Sequence, residues 1–372
     1  MTVMSDSEVT ADDASPPQGV DVPRVELPSE EAAQEARHRQ AILTKPSGAL
    51  GRLEDLSIWA ASVQGTCPPH RFARPRVVIF VGDHGVARTA STSAYPPEVT
   101  AQMVLNFVAG GAAVNVLARE AGATVRVIDM SVDCDPAYVE AIAPEVVAHR
   151  IRRGSGSIER EDAMTLEESR ASFDLGRTIA DDEIDRGTDL LIPGDMGIGN
   201  TTPAAALIGL LSNLDASKVT GLGTGIDDAG WMRKCAAIRD AMRRGRPHLG
   251  DPIRLLATVG SPDFAAMTGF LLQASIRRTP VILDGTISSA CALVADRMDF
   301  RAKSWWLAGH RSTEPAHAAA LSRMELDPVV DYGLRLGEGT GALLALPIVQ
   351  AAIATLAEMA TFGEAGVSDR DA

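Results

Sequence analysis

The residues best suited to chemistry sit in short glycine-rich runs. Arg335-Leu-Gly337-Glu338-Gly339-Thr-Gly341 sets one glutamate between glycines at the entry to an apolar stretch. Glycines on both sides let a ligand approach the carboxylate closely. An apolar surround raises its proton affinity and suits Glu338 to act as a base. The plainer alternative is a helix-capping acid held by the helix dipole. A second run, Gly194-Asp195-Met-Gly197-Ile-Gly199-Asn200-Thr201-Thr202-Pro203, follows a short apolar segment. Thr202 suits a helix cap and Pro203 the first helical position. A helix start after a glycine turn presents free N–H groups, which bind an anion and most simply a phosphate. For one such loop alone, a tight turn without a ligand is the favoured explanation.

A third run, Gly221-Leu-Gly223-Thr224-Gly225-Ile-Asp227-Asp228, leads into Arg233 and Lys234. Cations in the first turns of a helix oppose its dipole, so an anionic partner explains them. A solvated basic turn explains them nearly as well. No apolar strand clearly runs into this glycine pattern, which separates it from the dinucleotide-binding fingerprint. Asp83 and His84 stand in Gly-Asp-His-Gly-Val at 82–86, and His310 and Ser312 in Ala-Gly-His-Arg-Ser at 308–312. Several such turns in one chain point to a composed active site. The seven histidines show no metal-binding spacing, and no Gly-x-Ser-x-Gly elbow appears, so the expected metal and cofactor content is none.

These turns need a scaffold. Apolar runs at 76–82, 125–130, 188–193, 281–284 and 305–308 read as strands, with 76–82 a fully buried one. Helical patterns lie between them, at 97–120, 165–186, 203–212, 228–245, 262–277, 287–297 and 313–323. The segment 251–259 is ambiguous, with a helix start at Asp251-Pro252 slightly favoured. Further helices are expected from Ser29-Glu30-Glu31, after the turn at Lys45–Gly48, and from Gly341 to about Ala360. Strands alternating with helices predict an α/β fold, with a doubly wound, mainly parallel sheet covered on both faces. Ligands then bind outside the carboxyl ends of the strands, where the glycine turns fall.

The chain has 372 residues and a net charge of −14. Nine acids and one arginine fall in the first 35 residues, so the body carries only about −6. A mildly acidic body argues against nucleic-acid binding, because nothing there neutralises phosphates. Residues 1–29 are acidic and poor in apolar groups, and are expected to be a disordered tail before a single domain over 30–372. The four cysteines stand far apart, which fits a reducing compartment, and no secretory signal is visible. The cytoplasm is the expected location. An uncharged stretch from Gly339 to Ala357 raises the membrane question, but Pro347, Gln350 and several small residues favour a buried helix.

A series of stretches, in order, resembles the nicotinate-nucleotide:dimethylbenzimidazole phosphoribosyltransferases of cobalamin nucleotide-loop assembly. They are KPSGALGRLE at 45–54, GDHGV, AYPPEVTAQMVLNFVAGGAAVNVLAR at 94–119, GDMGIGNTT, GLGTGIDD, AGHRSTEPAH at 308–317 and RLGEGTGALLALP at 335–347. The resemblance covers about residue 30 to the C-terminus. It implies that Glu338 is the general base, and that Lys234 and Ser312 lie near a ribotide phosphate with the backbone around Gly197. It also implies that Gln102 lines a benzimidazole pocket. Asp83, His84, Asp195, Gly199, Asn200, Thr201, Gly223, Thr224, Gly225, Asp227, Asp263 and Gly337 complete the expected substrate site. A homodimer is implied, with a small helical part from about 30–65 and 341–362. Two departures stand out. Asp195 replaces the family's usual glutamate, and Gly260-Ser-Pro-Asp263 replaces a turn that usually ends in glutamate. Both shorten a carboxylate by one methylene. A non-catalytic ribotide- or base-binding protein on the same fold is therefore the rival reading, and a dinucleotide oxidoreductase, resting on GLGTGIDD alone, is a third.

Overall fold

The computed structural model describes residues 22–368. Its sheet has six parallel strands: β1 (Pro75–Gly82), β2 (Thr124–Ser131), β3 (Leu190–Met196), β4 (Val281–Leu283), β5 (Trp306–Ser312) and β6 (Pro328–Leu334). Their order is β2-β1-β3-β4-β5-β6. The direction of winding reverses between β1 and β3, so the turns after Gly82 and Asp195 diverge there and leave a crevice.

The central strands bury side chains on both faces. Val78, Phe80, Leu191 and Leu283 join one core, while Val77, Ile79, Ile192 and Ile282 join the other. This accounts for the unbroken apolar runs in the sequence, since each face is covered by helices. A third cluster joins helix Glu30–Ile42, helix Arg52–Gln64 and the end of helix Thr340–Glu358 through Ala36, Leu43, Ala61 and Leu356. Helix Thr340–Glu358 is long and apolar enough to cross a membrane by composition alone. Here it buries Leu343, Leu346, Val349 and Ile353 against the sheet. Ser29 caps its helix by accepting from Ala32 N, and Asp251-Pro252 does start one, Pro252–Val259.

One strand was not expected, and three expectations need correction. Strand β6 carries no strong apolar pattern, because it is an edge strand whose Asp331, Tyr332 and Gly333 are exposed. The predicted helix over 97–120 is two helices, Val99–Val108 and Ala113–Glu120, broken at Gly110-Gly111, where Gly110 has φ +77°. Helix Thr201–Leu211 begins with Asn200 in the cap position, so Thr202 is already helical. The disordered tail cannot extend to residue 29. Val25 is buried and donates its N–H to Asp299 Oδ2 at 2.9 Å, and Trp305 Nε1 donates to the Glu26 carbonyl at 2.8 Å. Residues 1–21 lie outside the described part of the chain.

Candidate active site

A cleft opens at the carboxyl edge of the sheet, among the turns after β3, β4, β5 and β6. Helices Thr201–Leu211, Thr286–Met298 and Thr340–Glu358 all start at this edge. Their positive dipole ends favour negative charge, which at the start of helix Thr340–Glu358 is met by the Asp284 carboxylate.

Glu338 lies on the wall formed by the last turn. It has φ +64°, between Gly337 at +88° and Gly339 at +94°. A non-glycine residue in this region is strained, and it persists because the turn is pinned from both sides. On one side, a Cβ at Gly194 would fall 2.6 Å from the Glu338 carbonyl oxygen, so only glycine lets the turn seat on β3. On the other, Asp284 accepts from Gly339 N at 3.1 Å, Gly341 N at 2.8 Å and Ala342 N at 3.2 Å. The Glu338 side chain is 4 % exposed, and its Oε2 has no hydrogen-bond partner among the described residues. Burial, and then the nearby Asp284 carboxylate, push its pKa up to about 7. A carboxylate poised near neutrality is well matched to accept a proton.

Behind Thr201, on another side of the cleft, lies a buried cation. Lys234 is fully buried, and its Nζ donates to Thr201 Oγ1 at 2.8 Å and to the Gly221 carbonyl at 3.2 Å. Burial pulls its pKa down to about 8, opposed by the charge of Glu314. Glu314 Oε1 in turn accepts from Gly223 N at 2.8 Å, and the Arg335 guanidinium donates to the Gly223 carbonyl. Ser312 is fixed as firmly. Its N–H donates to His317 Nδ1 at 2.9 Å, and its hydroxyl accepts from Glu314 N at 3.3 Å. Because His317 Nδ1 accepts, its ring proton sits on Nε2, 3.1 Å from Ser289 Oγ. Burial holds this imidazole's pKa down to about 3, so it is neutral.

Behind the cleft lies a buried polar layer at the β1/β3 crevice. Asp195 Oδ1 accepts from Asn200 Nδ2 at 2.6 Å. Thr100 Oγ1 donates to Asp83 Oδ1 at 2.6 Å and accepts from Ile198 N at 3.1 Å, which ties the loops after β1 and β3 together. Asp83 Oδ2 also accepts from Asp133 N at 2.8 Å. Burial dominates the rise of the Asp83 pKa to about 7. His84 packs edge-on against Phe264, with its Nε2 3.6 Å from Asp263 Oδ2, and burial lowers its pKa. In the same crevice a Cβ on Gly197 would lie 1.8 Å from the Gly82 carbonyl.

Of the expected site residues, Asp195, Asn200, Thr201, Ser312, Gly337 and Glu338 line the cleft. Lys234 and Gly223 stand one contact behind Thr201. Asp83, His84, Gly197, Gly199 and Asp263 belong to the crevice rather than the lining. Four residues are placed differently. Asp227 caps helix Asp228–Gly245 by accepting from Gly230 N at 2.7 Å, Thr224 accepts from Ala94 N at 2.8 Å beside exposed Gly225, and Gln102 is exposed outside the lining. Asp284, Glu314 and Arg335 also line the cleft and were not anticipated. Their signals were present in the turns Leu283–Ser288, Ser312–Pro315 and Arg335–Gly341. Among the described residues no group of three or more His, Cys, Asp or Glu is arranged to hold a metal, and the four cysteines are free.

Comparison with known proteins agrees with this geometry. A family model described as phosphoribosyltransferase matches residues 25–367. The chain is 58 % identical over 348 residues to the nicotinate-nucleotide–dimethylbenzimidazole phosphoribosyltransferase of Mycolicibacterium paratuberculosis, covering 94 % of this chain and 98 % of that one. It is 58 % identical over 346 residues to the protein of that name from Mycobacterium tuberculosis, covering 93 % and 94 %. The crystal structure of CobT from Thermus thermophilus superimposes with a TM-score of 0.86 at 41 % identity, covering 91 % of this chain and 99 % of that one. With a pinned carboxylate in a cleft at the carboxyl edge of a doubly wound sheet, and matches over nearly the whole length, the chain belongs to the phosphoribosyltransferase family that this model describes.

Proposed function

We propose that the protein moves the 5-phosphoribosyl group of nicotinate mononucleotide onto 5,6-dimethylbenzimidazole or a related base. The products are α-ribazole 5′-phosphate, for the lower ligand of cobalamin, and nicotinate. The observation that carries this reading is Glu338, buried and without a partner at Oε2, in one cleft with Ser312 and with Thr201, behind which Lys234 lies. The names of the relatives support the same substrates.

The donor's base is already a pyridinium and leaves as a neutral ring nitrogen. It needs no acid to protonate it, and with no pyrophosphate to clamp, the reaction needs no magnesium. As one benzimidazole nitrogen attacks C1′, the N–H on the other becomes acidic, and Glu338 accepts that proton. Direct displacement turns the β-linkage into an α-linkage through an oxocarbenium-like state. The phosphate is anchored near Lys234, Ser312 and the start of helix Thr201–Leu211, so binding energy orients C1′ towards the incoming base. The protein works as a cytoplasmic homodimer on small molecules, without nucleic acid or membrane. Incubation with nicotinate mononucleotide and a panel of bases, followed by mass analysis, tests the reaction. Release of nicotinate with formation of a benzimidazole ribotide is the expected result, and no product with any base refutes it.

A further inference from the structure

Four side chains that line the cleft carry buried polar atoms with no partner among the described residues: Asp195, Thr286, His310 and Glu338. His310 leaves the most unmet. It is 1 % exposed, and neither ring nitrogen has a hydrogen bond. An imidazole always has a proton to donate, so a buried one without an acceptor is costly.

The ring is fixed on one edge and open on another. A Cβ on Gly341 would overlap His310 Cδ2, so glycine alone lets the start of helix Thr340–Glu358 seat against that edge. The His317 ring lies 5.6 Å away, with its nitrogens already taken by Ser312 and Ser289. A Cβ on Gly285 would stand 3.4 Å from His310 Nε2 and 4.0 Å from Cε1, and its absence leaves that edge uncovered on the cleft side. Asp284 Oδ1 is 3.6 Å from Nε2, beyond a hydrogen bond. The amides of Gly339, Gly341 and Ala342 hold Asp284 and leave its carboxylate about one further acceptor position. From the same turn, Ser288 donates back to the Gly285 carbonyl at 3.0 Å, and Thr286 Oγ1 is unpartnered.

This arrangement selects the group that fits beside Nε2. A phosphate or a carboxylate there would meet the Asp284 charge at close range and be repelled. A hydroxyl is neutral, and it accepts from one neighbour while donating to another. It can therefore bridge Nε2–H and the Asp284 carboxylate, which the protein's own groups do not. Spacing agrees. His310 and Ser312 are both buried cleft residues two apart in β5, with Arg311 exposed between them. Their side chains leave one face of the strand about 6–7 Å apart. A 5′-phosphate and the ring hydroxyls of the same ribose are separated by a span of that order.

We infer that His310 Nε2, with Asp284, holds a ribose hydroxyl of the donor, and that His310 thereby sets a preference for ribosyl over deoxyribosyl groups. The identity of the donor rests on the function proposed above. Calorimetric Kd values for nicotinate mononucleotide and its 2′-deoxy and 3′-deoxy forms test the contact. Binding is read because loss of a hydroxyl also alters the reactivity of C1′. Wild-type protein should bind one deoxy form about tenfold more weakly than the parent. His310→Ala should bind that form and the parent alike, and His310→Gln, whose amide reaches towards the Nε2 position, should keep part of the difference. If wild-type protein binds all three alike, the inference is overturned whether or not either variant folds. If His310→Ala discriminates as wild type does, it is overturned too. The reaction is judged separately. Product formation without hydroxyl discrimination refutes only the role of His310, and discrimination that depends on His310 without product from any base refutes only the reaction. If nicotinate mononucleotide does not bind, the reaction falls, and ribose 5-phosphate against its 2-deoxy and 3-deoxy forms makes the same comparison.

Discussion

The two walls of the cleft solve opposite problems. On the Thr201 side and behind it, Lys234, Glu314, Ser312 and His317 each have partners within the protein, and Lys234 and Glu314 fix the 221–223 turn. On the Glu338 side and in the crevice behind it, Glu338, Asp195, Asp263 and His84 keep buried polar atoms that nothing in the described chain satisfies. A buried polar atom without a partner costs roughly 1–3 kcal/mol. On the proposed function a substrate completes the set during the reaction, so partnered groups hold geometry and unpartnered ones meet the ligand. Changes on the first wall should therefore harm binding and folding, and changes on the second should harm turnover while sparing the fold.

Glu338→Gln gives the largest expected effect. The amide keeps the shape but cannot take a proton, so kcat should fall about 10²–10⁴-fold with both substrates still bound. The wild-type rate should fall as pH drops below about 7, and the variant should lose that limb. Stability should move the other way. Glu338 titrates above its unfolded value of 4.5, so its protonated form adds stability that is lost as pH rises from 4.5 through about 7. Glutamine avoids that loss, worth on the order of 3 kcal/mol, and the Tm of the variant should exceed wild type increasingly from pH 5 to 8. A variant less stable than wild type at pH 8 would break the contrast between the walls.

Lys234→Ala should act on binding. Removing a charge-assisted bond to the phosphate costs roughly 1.5–3 kcal/mol, so the donor KM should rise far more than kcat falls. The wild-type donor KM should climb above pH 8, as Lys234 loses its proton, and the variant should be flat there. An unchanged KM places Lys234 outside the phosphate site.

His317→Ala tests the partnered wall more gently. It leaves Ser312 N and Ser289 Oγ without partners, at about 1–2 kcal/mol of unfolding free energy. His317 titrates near 3 in the fold against 6.5 unfolded, so its contribution is present above 6.5 and lost as pH falls towards 3. Denaturant midpoints of the two proteins should converge across that range. The smallest effect lies outside both walls. Deleting residues 1–21 should leave Tm and turnover unchanged, whereas deleting 1–28 removes buried Val25 and should lower stability by about 1–2 kcal/mol.

The legible parts of the molecule were those with a local signature. Strand β1 declared itself because Val77–Val81 is apolar on both faces, and Glu338 because glycines flank it. Strand β6 did not, since an edge strand with Asp331 and Gly333 has no period to read. Asp284 escaped for a different reason. Its role is made by amides of residues 339–342, more than fifty positions away, and no spacing rule joins them. The two shortened acids, Asp195 and Asp263, were visible singly, but only the fold shows that both are buried with oxygens left unpartnered.

The clustering of the first and last helices around Ala36, Leu43, Ala61 and Leu356 has a consequence for biosynthesis. Domains emerge from the ribosome N-terminal end first. Helices Glu30–Ile42 and Arg52–Gln64 therefore wait, with their apolar faces open, until Leu356 is translated. The same late segment brings Glu338 and the amides that Asp284 binds. A nascent chain arrested before residue 335 thus has neither Glu338 nor the cover for its earliest helices, which makes it a natural client for chaperones or proteases rather than a partly active enzyme.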